Sequence, residues 1–344
     1  MAEPIGIEIR SLYKIFGPEA AVLMPKVRDG MTKAELNERH GHVLGLNNIN
    51  LTMPAGRIQV IMGLSGSGKS TLIRHVNRLI DPTAGEVLAG GADVVKMPPE
   101  ALREFRRHKT AMVFQKFALL PNRTVLENTA YGLEIQGIDR GRRTDTAMRW
   151  IERVGLKGFE KKYPNQLSGG MQQRVGLARA LSNDAPILLM DEAYSALDPL
   201  IRVDMQTVLL DLQKEIRKTV VFITHDLDEA LRLGDAIAIL RDGEIIQQGS
   251  SQDIVLRPAD AYIESFVREV NRGRVIRADA AMEPVSGEAP EVSVTGDASL
   301  EDVARLMADR RVTRVTVIDP ASGGPVGMLA MESVMAAMTN RGGY

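Results

Sequence analysis

One glycine-rich stretch constrains this chain more than any other. Residues 63–70 read GLSGSGKS and fit the pattern G-x-x-x-x-G-K-[ST]. The apolar run RIQVIMG before them predicts a buried strand. The run STLIRHVNRLI after them predicts a helix with one apolar face, formed by Leu72, Ile73, Val76, Leu79 and Ile80. This order of strand, loop and helix predicts a phosphate-binding loop (P-loop), and it disfavours the alternative of a glycine-rich turn that binds nothing.

The chemistry of this loop suits a nucleoside triphosphate with Mg²⁺. Glycines let backbone N–H groups face a phosphate, and the start of a helix favours the anion. Lys69 can reach the β- and γ-phosphates, and Ser70 can be a ligand of Mg²⁺. His75, on the following helix, is predicted to lie on its polar flank. The predicted nucleotide-binding residues of the loop are Gly63, Ser65, Gly66, Ser67, Gly68, Lys69, Ser70 and Thr71.

A second apolar run, ILLMDE at residues 187–192, ends in two acids. Ligands of α/β sheets bind at the carboxyl ends of strands. Asp191 is therefore predicted to hold Mg²⁺ through water, and Glu192 to polarise the attacking water. Two acids that only end a strand are a common alternative, which the P-loop upstream disfavours.

A third stretch, LSGGMQQRVGLARAL at residues 167–181, predicts another helix whose start suits a phosphate. Ser168, Gly169 and Gly170 open this helix, and Ser168 can add a hydroxyl donor. An ordinary N-cap is the alternative interpretation of Ser168. One P-loop needs no second phosphate cradle in the same chain, so this pattern favours a nucleotide shared between two copies of the protein.

Together these stretches resemble the ATP-binding-cassette (ABC) ATPases over roughly residues 5–270. LSGGM is similar to the family signature LSGGQ, and VFQKFALLP, SALD and FITHD are similar to its Q-loop, D-loop and switch-histidine motifs. The resemblance implies a homodimer in which the P-loop of one subunit and the signature of the other enclose ATP. It also implies the catalytic residues Glu192, His225 and Gln115, and the metal-holding residues Ser70, Gln115 and Asp191.

The resemblance assigns two further nucleotide contacts. Asp198 ends the SALD motif, and Phe16 matches the aromatic residue that stacks on adenine. Phe16 can instead be a core residue, and Tyr13 is a competing aromatic whose spacing fits less well. The implied fold is an α/β P-loop NTPase domain over residues 1–275, with a RecA-like core, an antiparallel β subdomain and a helical subdomain at about 118–182.

Longer sequence segments resemble those of the ATPases of glycine betaine, proline and choline importers. These segments are MGLSGSGKSTLIRHVNRLIDPTAGEV, NQLSGGMQQRVGLARAL and DEAYSALDPLIR, together with an insertion at residues 17–41. Thr32 and Glu35 predict a capping box in the insertion, and a solvated surface helix is its simplest interpretation. The implied partners are two transmembrane permease subunits and, indirectly, an external substrate-binding protein. The implied location is the cytoplasmic face of the inner membrane, as a peripheral subunit.

The C-terminal part predicts a small separate α+β domain. EPVSGEAP marks a linker, set at residues 276–290, and residues 291–340 resemble a single CBS module. Ala330 and Ser333 depart from the adenosine-binding pattern of such modules, so tight AMP binding is not expected. Val303, Leu306 and Met307 on one helix, and Met331, Val334, Met335 and Met338 on the next, predict exposed apolar stripes that pair two modules.

Composition narrows the classes of function. The formal net charge of −1 gives no bulk positive charge for nucleic acid, and no nucleic-acid partner is expected. The lack of cysteine excludes disulfides and thiolate metal sites. The resemblance to these importers makes MgATP hydrolysis coupled to amine uptake the main expectation. The alternatives are an ABC-type ATPase that is not coupled to transport and a P-loop kinase, and LSGGM disfavours the kinase.

Overall fold

The structure is a computed structural model that describes residues 2–115, 117–195, 197–285 and 290–339. Parts of several predictions lie outside the described residues, among them Lys116 of the Q-loop motif, Ala196 of the SALD motif, residues 286–289 of the linker and residue 340 of the C-terminal module. The chain divides between Ile246 and Gln247 into two compact units.

The first unit alternates strands with helices, as the sequence predicts. Its strands are β1 (Ile7–Phe16), β2 (Val43–Met53), β3 (Ile58–Met62), β4 (Ala84–Ala89), β5 (Ala92–Asp93), β6 (Thr110–Val113), β7 (Ile187–Asp191), β8 (Thr219–Thr224), β9 (Ala236–Arg241) and β10 (Glu244–Gly249), which crosses the unit boundary. Its helices are α1 (Met24–Arg28), α2 (Lys33–His40), α3 (Lys69–Val76), α4 (Pro99–His108), α5 (Val125–Ile135), α6 (Arg140–Arg153), α7 (Gly169–Ser182), α8 (Pro199–Ile216) and α9 (Leu227–Leu233).

Two sheets organise this unit. The larger sheet has the order β10-β9-β3-β8-β7-β6, and β3 is parallel to β8 and β9 while β7 is parallel to β6 and β8. Every residue of β3, β7 and β8 is buried, which explains their continuous apolar runs. The smaller sheet, β2-β1-β4-β5, is antiparallel. The expected α/β core and antiparallel β subdomain are both confirmed.

The insertion at residues 17–41 is more than a solvated helix. Thr32 caps α2, and the predicted capping box with Glu35 is present. Leu36 is fully buried in a small cluster that joins the insertion to the antiparallel sheet. The cluster contains Tyr13, Ile15, Leu23, Met24, Val27, Leu36 and Leu44. The insertion therefore covers one end of β1 and β2 with its own apolar core.

Helices α5, α6 and α7 pack around a separate apolar cluster, as expected of a helical subdomain. Its buried members are Val125, Ile151, Val154, Leu156, Leu167, Val175 and Ala178. Trp150, the only tryptophan of the sequence, packs against this cluster.

The second unit contains the predicted module. Its elements are α10 (Ser251–Leu256), α11 (Ala261–Val267), α12 (Arg272–Val275), α13 (Ala278–Ala281), β11 (Ser293–Thr295), α14 (Leu300–Arg310), β12 (Arg314–Ile318), β13 (Pro325–Ala330) and α15 (Met331–Thr339). The predicted succession of strand, helix, strand, strand and helix is confirmed, with the sheet order β11-β12-β13. Ile276 and Ala278, which the sequence placed in the linker, are fully buried in the core of this unit.

The predicted apolar stripes of the module are not open surfaces. Val303, Met307 and Val334 are fully buried within the module's own core, and Leu306 and Met338 pack against it. The prediction that these residues form exposed pairing surfaces is wrong, because α14 and α15 bury them against the three-stranded sheet and α12. Of the residues predicted to form these stripes, Met335 of α15 is exposed.

The small core of the insertion gives a first prediction. Leu36→Ala should lower the free energy of unfolding by about 2–5 kcal/mol, because it removes a fully buried side chain and leaves a cavity. Val22→Ala, at a side chain that is 71% exposed in the same insertion, should change it by less than about 0.5 kcal/mol. Denaturant unfolding of the two variants provides the comparison. Equal stabilities would contradict the packing described here.

Candidate functional site

The glycine-rich loop joins β3 to α3 as the sequence predicts. Gly68 has a φ of 105°, and a Cβ at this position would lie 2.8 Å from the carbonyl oxygen of Gly45. A Cβ on Gly63 would lie 2.2 Å from the carbonyl oxygen of Leu240. Neighbouring backbone therefore requires glycine at both positions, which brings the loop close against the ends of β2 and β9.

Lys69 is almost fully buried inside this loop. Its Nζ donates to the carbonyl oxygens of Gly63 at 2.8 Å and Leu64 at 2.9 Å, and lies 3.6 Å from Oε1 of Glu192. Burial lowers the pKa of Lys69, and the negative charge of Glu192 opposes that shift. The loop thus holds the ammonium group of Lys69 beside the carboxylate of Glu192.

Ser70 and Asp191 meet as predicted for a metal site. Ser70 Oγ donates to Oδ1 of Asp191 at 2.7 Å. Arg74, one turn further along α3, donates to Oδ2 of the same carboxylate at 3.1 Å. Asp191 ends β7 and is buried. Both of its oxygens are thus fixed by residues of α3, and a hydroxyl and a carboxylate oxygen lie side by side.

Glu192 is the centre of a second group of contacts. Gln115 donates from Nε2 to Oε2 of Glu192 at 3.1 Å, and lies 3.5 Å from Oγ of Ser195. His225 Nδ1 lies 3.7 Å from the same Oε2. Glu192 has a φ of 47°, a left-handed conformation that is uncommon for glutamate and that turns its side chain out of the strand direction. The structure therefore brings all three predicted catalytic residues together.

Phe16 lies near the same loop, at the end of β1, and is 39% exposed. Its ring borders Gly45, where a Cβ would approach it to 2.6 Å, and Gly45 in turn borders Gly68 of the P-loop. Lys14 Nζ lies 5.1 Å from the centroid of the Phe16 ring. Tyr13, the competing aromatic, is buried in the cluster beneath the insertion. Exposure and position therefore favour Phe16 over Tyr13 as the stacking residue.

The signature residues are held by contacts with α7 and α8. Ser168 caps α7 and accepts from the backbone N–H of Met171, so the expected N-cap is present. Gly170 packs against Ile201 of α8, whose N-cap is Asp198. No hydrogen bond within the described part of the chain joins Ser168, Gly169 or Gly170 to residues 63–71. The role of these residues across a dimer stays a prediction.

The side chains present fit a nucleotide and Mg²⁺. Ser67 Oγ is buried within the loop and has no hydrogen-bond partner among the described residues, as expected of a group that serves a phosphate. The described ranges contain no group of three or more His, Cys, Asp and Glu side chains that could hold a metal ion. Magnesium commonly takes one or two carboxylates and completes its shell with phosphate and water, which matches Ser70 beside Asp191.

Sequence reasoning missed the arginines that hold this site. Arg74 was not singled out, although it lies one helical turn after Ser70 and must share its face. Arg179 of α7 donates to the carbonyl oxygens of Phe117 at 3.1 Å and Ala118 at 2.7 Å. Phe117 and Ala118 have positive φ and follow Gln115 closely in the sequence. No local signal marks Arg179, because its partners lie about sixty residues away in the sequence.

Two expectations for α3 are wrong. The helix ends at Val76, and Leu79 is half exposed, because Arg78 takes a left-handed conformation and Arg106 Nε binds the carbonyl of Asn77 instead. His75, predicted on the polar flank, is 1% exposed and directs Nδ1 to the carbonyl of Thr71 at 2.7 Å. Burial lowers its pKa to about 4.

The fold and the grouping of these loops define a P-loop ATPase cassette. Profiles of the ABC transporter family and of the CBS domain match residues 46–195 and 285–340. A dimeric structure of a bacterial ABC transporter cassette is 33% identical, with a TM-score of 0.61, over 71% of this chain and 98% of that one. A post-hydrolysis structure of a cassette with ADP and phosphate matches equally.

Curated relatives are similar over most of the chain. A glycine betaine transport ATP-binding protein of Bacillus subtilis is 53% identical over 81% of this chain and 67% of its own length. A glycine betaine/proline betaine transport ATP-binding protein of Escherichia coli is 45% identical over 98% and 84%. A trimethylamine N-oxide transport ATP-binding protein of Pelagibacter ubique is 43% identical over 92% and 93%. The chain belongs to the ABC transporter ATP-binding protein family.

The burial of His75 predicts a pH dependence of stability. The folded protein holds His75 neutral down to about pH 4, whereas the unfolded chain takes up the proton near pH 6.5. Stability from this group is therefore complete above about pH 6.5 and is lost as the pH falls towards 4. The loss amounts to about 3 kcal/mol.

His75→Gln should reduce the fall in the free energy of unfolding between pH 6.5 and pH 4 relative to the wild type. The difference between the two proteins at pH 8 gives the effect of the substitution itself and is subtracted. Chemical denaturation at intervals between pH 8 and pH 4 measures both proteins. Parallel profiles would contradict the assignment of the slope to His75.

Proposed function

We propose that this chain hydrolyses MgATP as the motor subunit of an ABC importer for a small quaternary or tertiary amine. One observation carries the catalytic part of the proposal. The carboxylate of Glu192 lies beside the P-loop lysine, and Gln115 and His225 converge on its second oxygen. This is the arrangement needed to orient a water molecule towards a phosphate held by the loop.

The proposed chemistry assigns separate tasks to separate side chains. Glu192 accepts a proton from the attacking water or polarises it. His225 and Gln115 hold Glu192 and the water in place, which lowers the entropic part of the barrier. Lys69 and the backbone N–H groups of the loop bind the phosphates and offset the charge that develops on them. Phe16 presents an exposed ring for adenine.

Ser70 and Asp191 would hold the metal ion. Magnesium, when bound, supplies positive charge to the phosphate oxygens. The hydrogen bond between Ser70 and Asp191 keeps the two oxygens adjacent, so both are available to one ion. Gln115 is proposed as a further oxygen ligand, through its amide carbonyl.

The signature at the start of α7 supports a homodimer. Ser168, Gly169 and Gly170 make no hydrogen bond with the P-loop of their own chain among the described residues, and we propose that they reach the nucleotide held by a second copy. The dimeric cassette similar to this chain supports the same arrangement. Asp198 is proposed to act at the same seam.

The names of the relatives support transport over an ATPase that is not coupled to transport. They are ATP-binding proteins of glycine betaine, proline betaine and trimethylamine N-oxide transport systems. We extend this class of substrate to the present chain. Among the described helices none has an apolar stretch of membrane-spanning length. We assign translocation to two permease subunits, as the resemblance to importers implies. The proposed location is peripheral, at the cytoplasmic face of the inner membrane, with an external binding protein delivering substrate.

The coupling to transport has a direct test. The chain should sediment with membranes when its permease is co-expressed and should remain in the supernatant without it. Lipid vesicles that contain the chain, the permease and the binding protein should accumulate glycine betaine, choline or trimethylamine N-oxide only when ATP is supplied. ATP hydrolysis without membrane association or uptake would favour the uncoupled alternative.

The role of Glu192 gives a prediction for hydrolysis. Glu192→Gln should lower kcat by about 100-fold or more while ATP still binds, because an amide cannot accept the proton. Bound ATP should then hold two subunits together, which gel filtration with MgATP detects as a dimer. A variant that turns over at the wild-type rate, or that binds ATP and stays monomeric, would contradict the assignment.

A mixing experiment tests the composite site. Lys69→Ala should weaken ATP binding, because it removes the cation within the P-loop. Ser168→Arg should leave binding to the single subunit intact but block hydrolysis, because the substitution acts on the partner's nucleotide. A mixture of the two inactive variants should recover activity, since one of the two sites in a mixed dimer then has intact residues on both sides. Normal hydrolysis by Ser168→Arg would exclude the shared site.

A further inference from the structure

One arginine joins the two loops that carry Glu192 and His225. Arg202 NH1 donates to Oδ2 of Asp226 at 3.2 Å, and its NH2 donates to the carbonyl oxygen of Leu197 at 3.2 Å. Leu197 lies in the turn that follows Glu192, and Asp226 follows His225 directly. The guanidinium therefore bridges the chain just beyond each of these two residues.

Both ends of this bridge are anchored. On one side, the backbone N–H of Ser195 donates to the carbonyl of Glu192 at 3.2 Å, and that of Leu197 donates to the carbonyl of Tyr194 at 3.1 Å. Tyr194 is itself fully buried. The position of Leu197 is thus tied by short turns to that of Glu192.

On the other side, Asp226 is held by three contacts. Its backbone N–H donates to Oγ1 of Thr224 at 3.0 Å, and its Oδ1 accepts from the backbone N–H of Glu229 as the N-cap of α9. Its Oδ2 is the atom bound by Arg202. Asp226 therefore fixes the path of the chain at His225, and the arginine fixes Asp226.

Helix stability alone does not account for this arginine. Arg202 is the fourth residue of α8, and a positive charge near a helix N-terminus is unfavourable. Its Nε is buried without a hydrogen-bond partner among the described residues, which also costs free energy. A side chain retained against both costs in this position is expected to serve the two loops that it joins.

We propose that Arg202 is a positioning residue that fixes the separation between Glu192 and His225. The inference rests on the proposed function, because it assigns the orientation of the catalytic pair to Arg202. Oε2 of Glu192 and Nδ1 of His225 lie 3.7 Å apart, and His225 is about half exposed. Among the described residues the His225 side chain makes no hydrogen bond, so its placement depends on the backbone on either side of it, which is buried strand β8 before it and Asp226 after it.

The structure offers a matched control on the same two helices. Arg232 of α9 donates to Oε1 of Gln206 and to Oγ1 of Thr207, both on α8, at 2.9 Å. Like Arg202, Arg232 links α8 to α9, but it does so away from the ends that carry the catalytic loops. Arg202→Met and Arg232→Met each remove one link between the helices. Only the link made by Arg202 joins the loops that carry Glu192 and His225.

The experiment compares steady-state ATP hydrolysis, binding of a fluorescent ATP analogue and thermal unfolding in the full chain. Arg202→Met should lower kcat by about 10- to 100-fold with KM and analogue affinity changed less than about threefold, because misplacement of a reacting group affects the chemical step. Arg202→Lys should recover part of kcat, since one ammonium can reach only one of the two acceptors. Arg232→Met should lower the unfolding temperature while kcat stays within about twofold of wild type.

Asp226→Asn provides an independent variant if Arg202→Met does not fold. The amide oxygen keeps the cap on α9, while the amide N–H₂ no longer pairs with the guanidinium. It should reproduce the loss of kcat, and the double variant with Arg202→Met should be no slower than the slower single variant. Additive losses would overturn the inference, as would a wild-type kcat in Arg202→Met or an equal loss of kcat in Arg232→Met.

Failure of this inference is distinguishable from failure of the proposed function. Glu192→Gln and His225→Ala are measured beside the arginine variants. Activity retained in both would refute the catalytic assignment itself. Activity lost in both, but retained in Arg202→Met and Asp226→Asn, would refute only the positioning role of Arg202.

Discussion

The parallel register of three buried strands determines where the site can form. Met62 of β3 pairs with Thr224 of β8, and Ile223 of β8 pairs with Asp191 of β7. The chain therefore leaves all three strands at one edge of the sheet, where parallel α/β sheets bind their ligands. The P-loop, Glu192 and His225 are the segments that follow these strands. The strands are buried at every position, and the polar site depends on the register in which they pair.

Most of the fold, and the proximity of the predicted site residues to one another, could be predicted from sequence, because each was marked by a local pattern. The helices predicted after the P-loop and at LSGGM are α3 and α7, and the loop, acid and histidine motifs follow apolar strand runs. Local patterns carry no information about distant neighbours. The buried state of His75, the early end of α3 and the small core around Leu36 all depend on side chains from elsewhere in the chain.

The C-terminal unit shows the same limit in another way. Periodicity correctly placed its helices but could not tell which surface would cover their apolar stripes. Val303, Met307 and Val334 are covered by the module's own sheet and by Ile276 and Ala278, which a boundary drawn from composition had assigned to a linker. A stripe with helical spacing indicates that a side of the helix is buried, and only the tertiary structure identifies the surface against which it packs.

Arginine side chains of α7 and α8 donate hydrogen bonds to the irregular segments of the site. Loops cannot satisfy their backbone carbonyls through regular ladders, so these carbonyls take other donors or water. Arg179 supplies two donors to Phe117 and Ala118 after Gln115, and Arg202 supplies one to Leu197 after Glu192. A guanidinium can bind two acceptors at once in a fixed plane, which a lysine cannot do. Motif residues thus specify the chemistry of the site, whereas its geometry depends on side chains that lie outside every motif core.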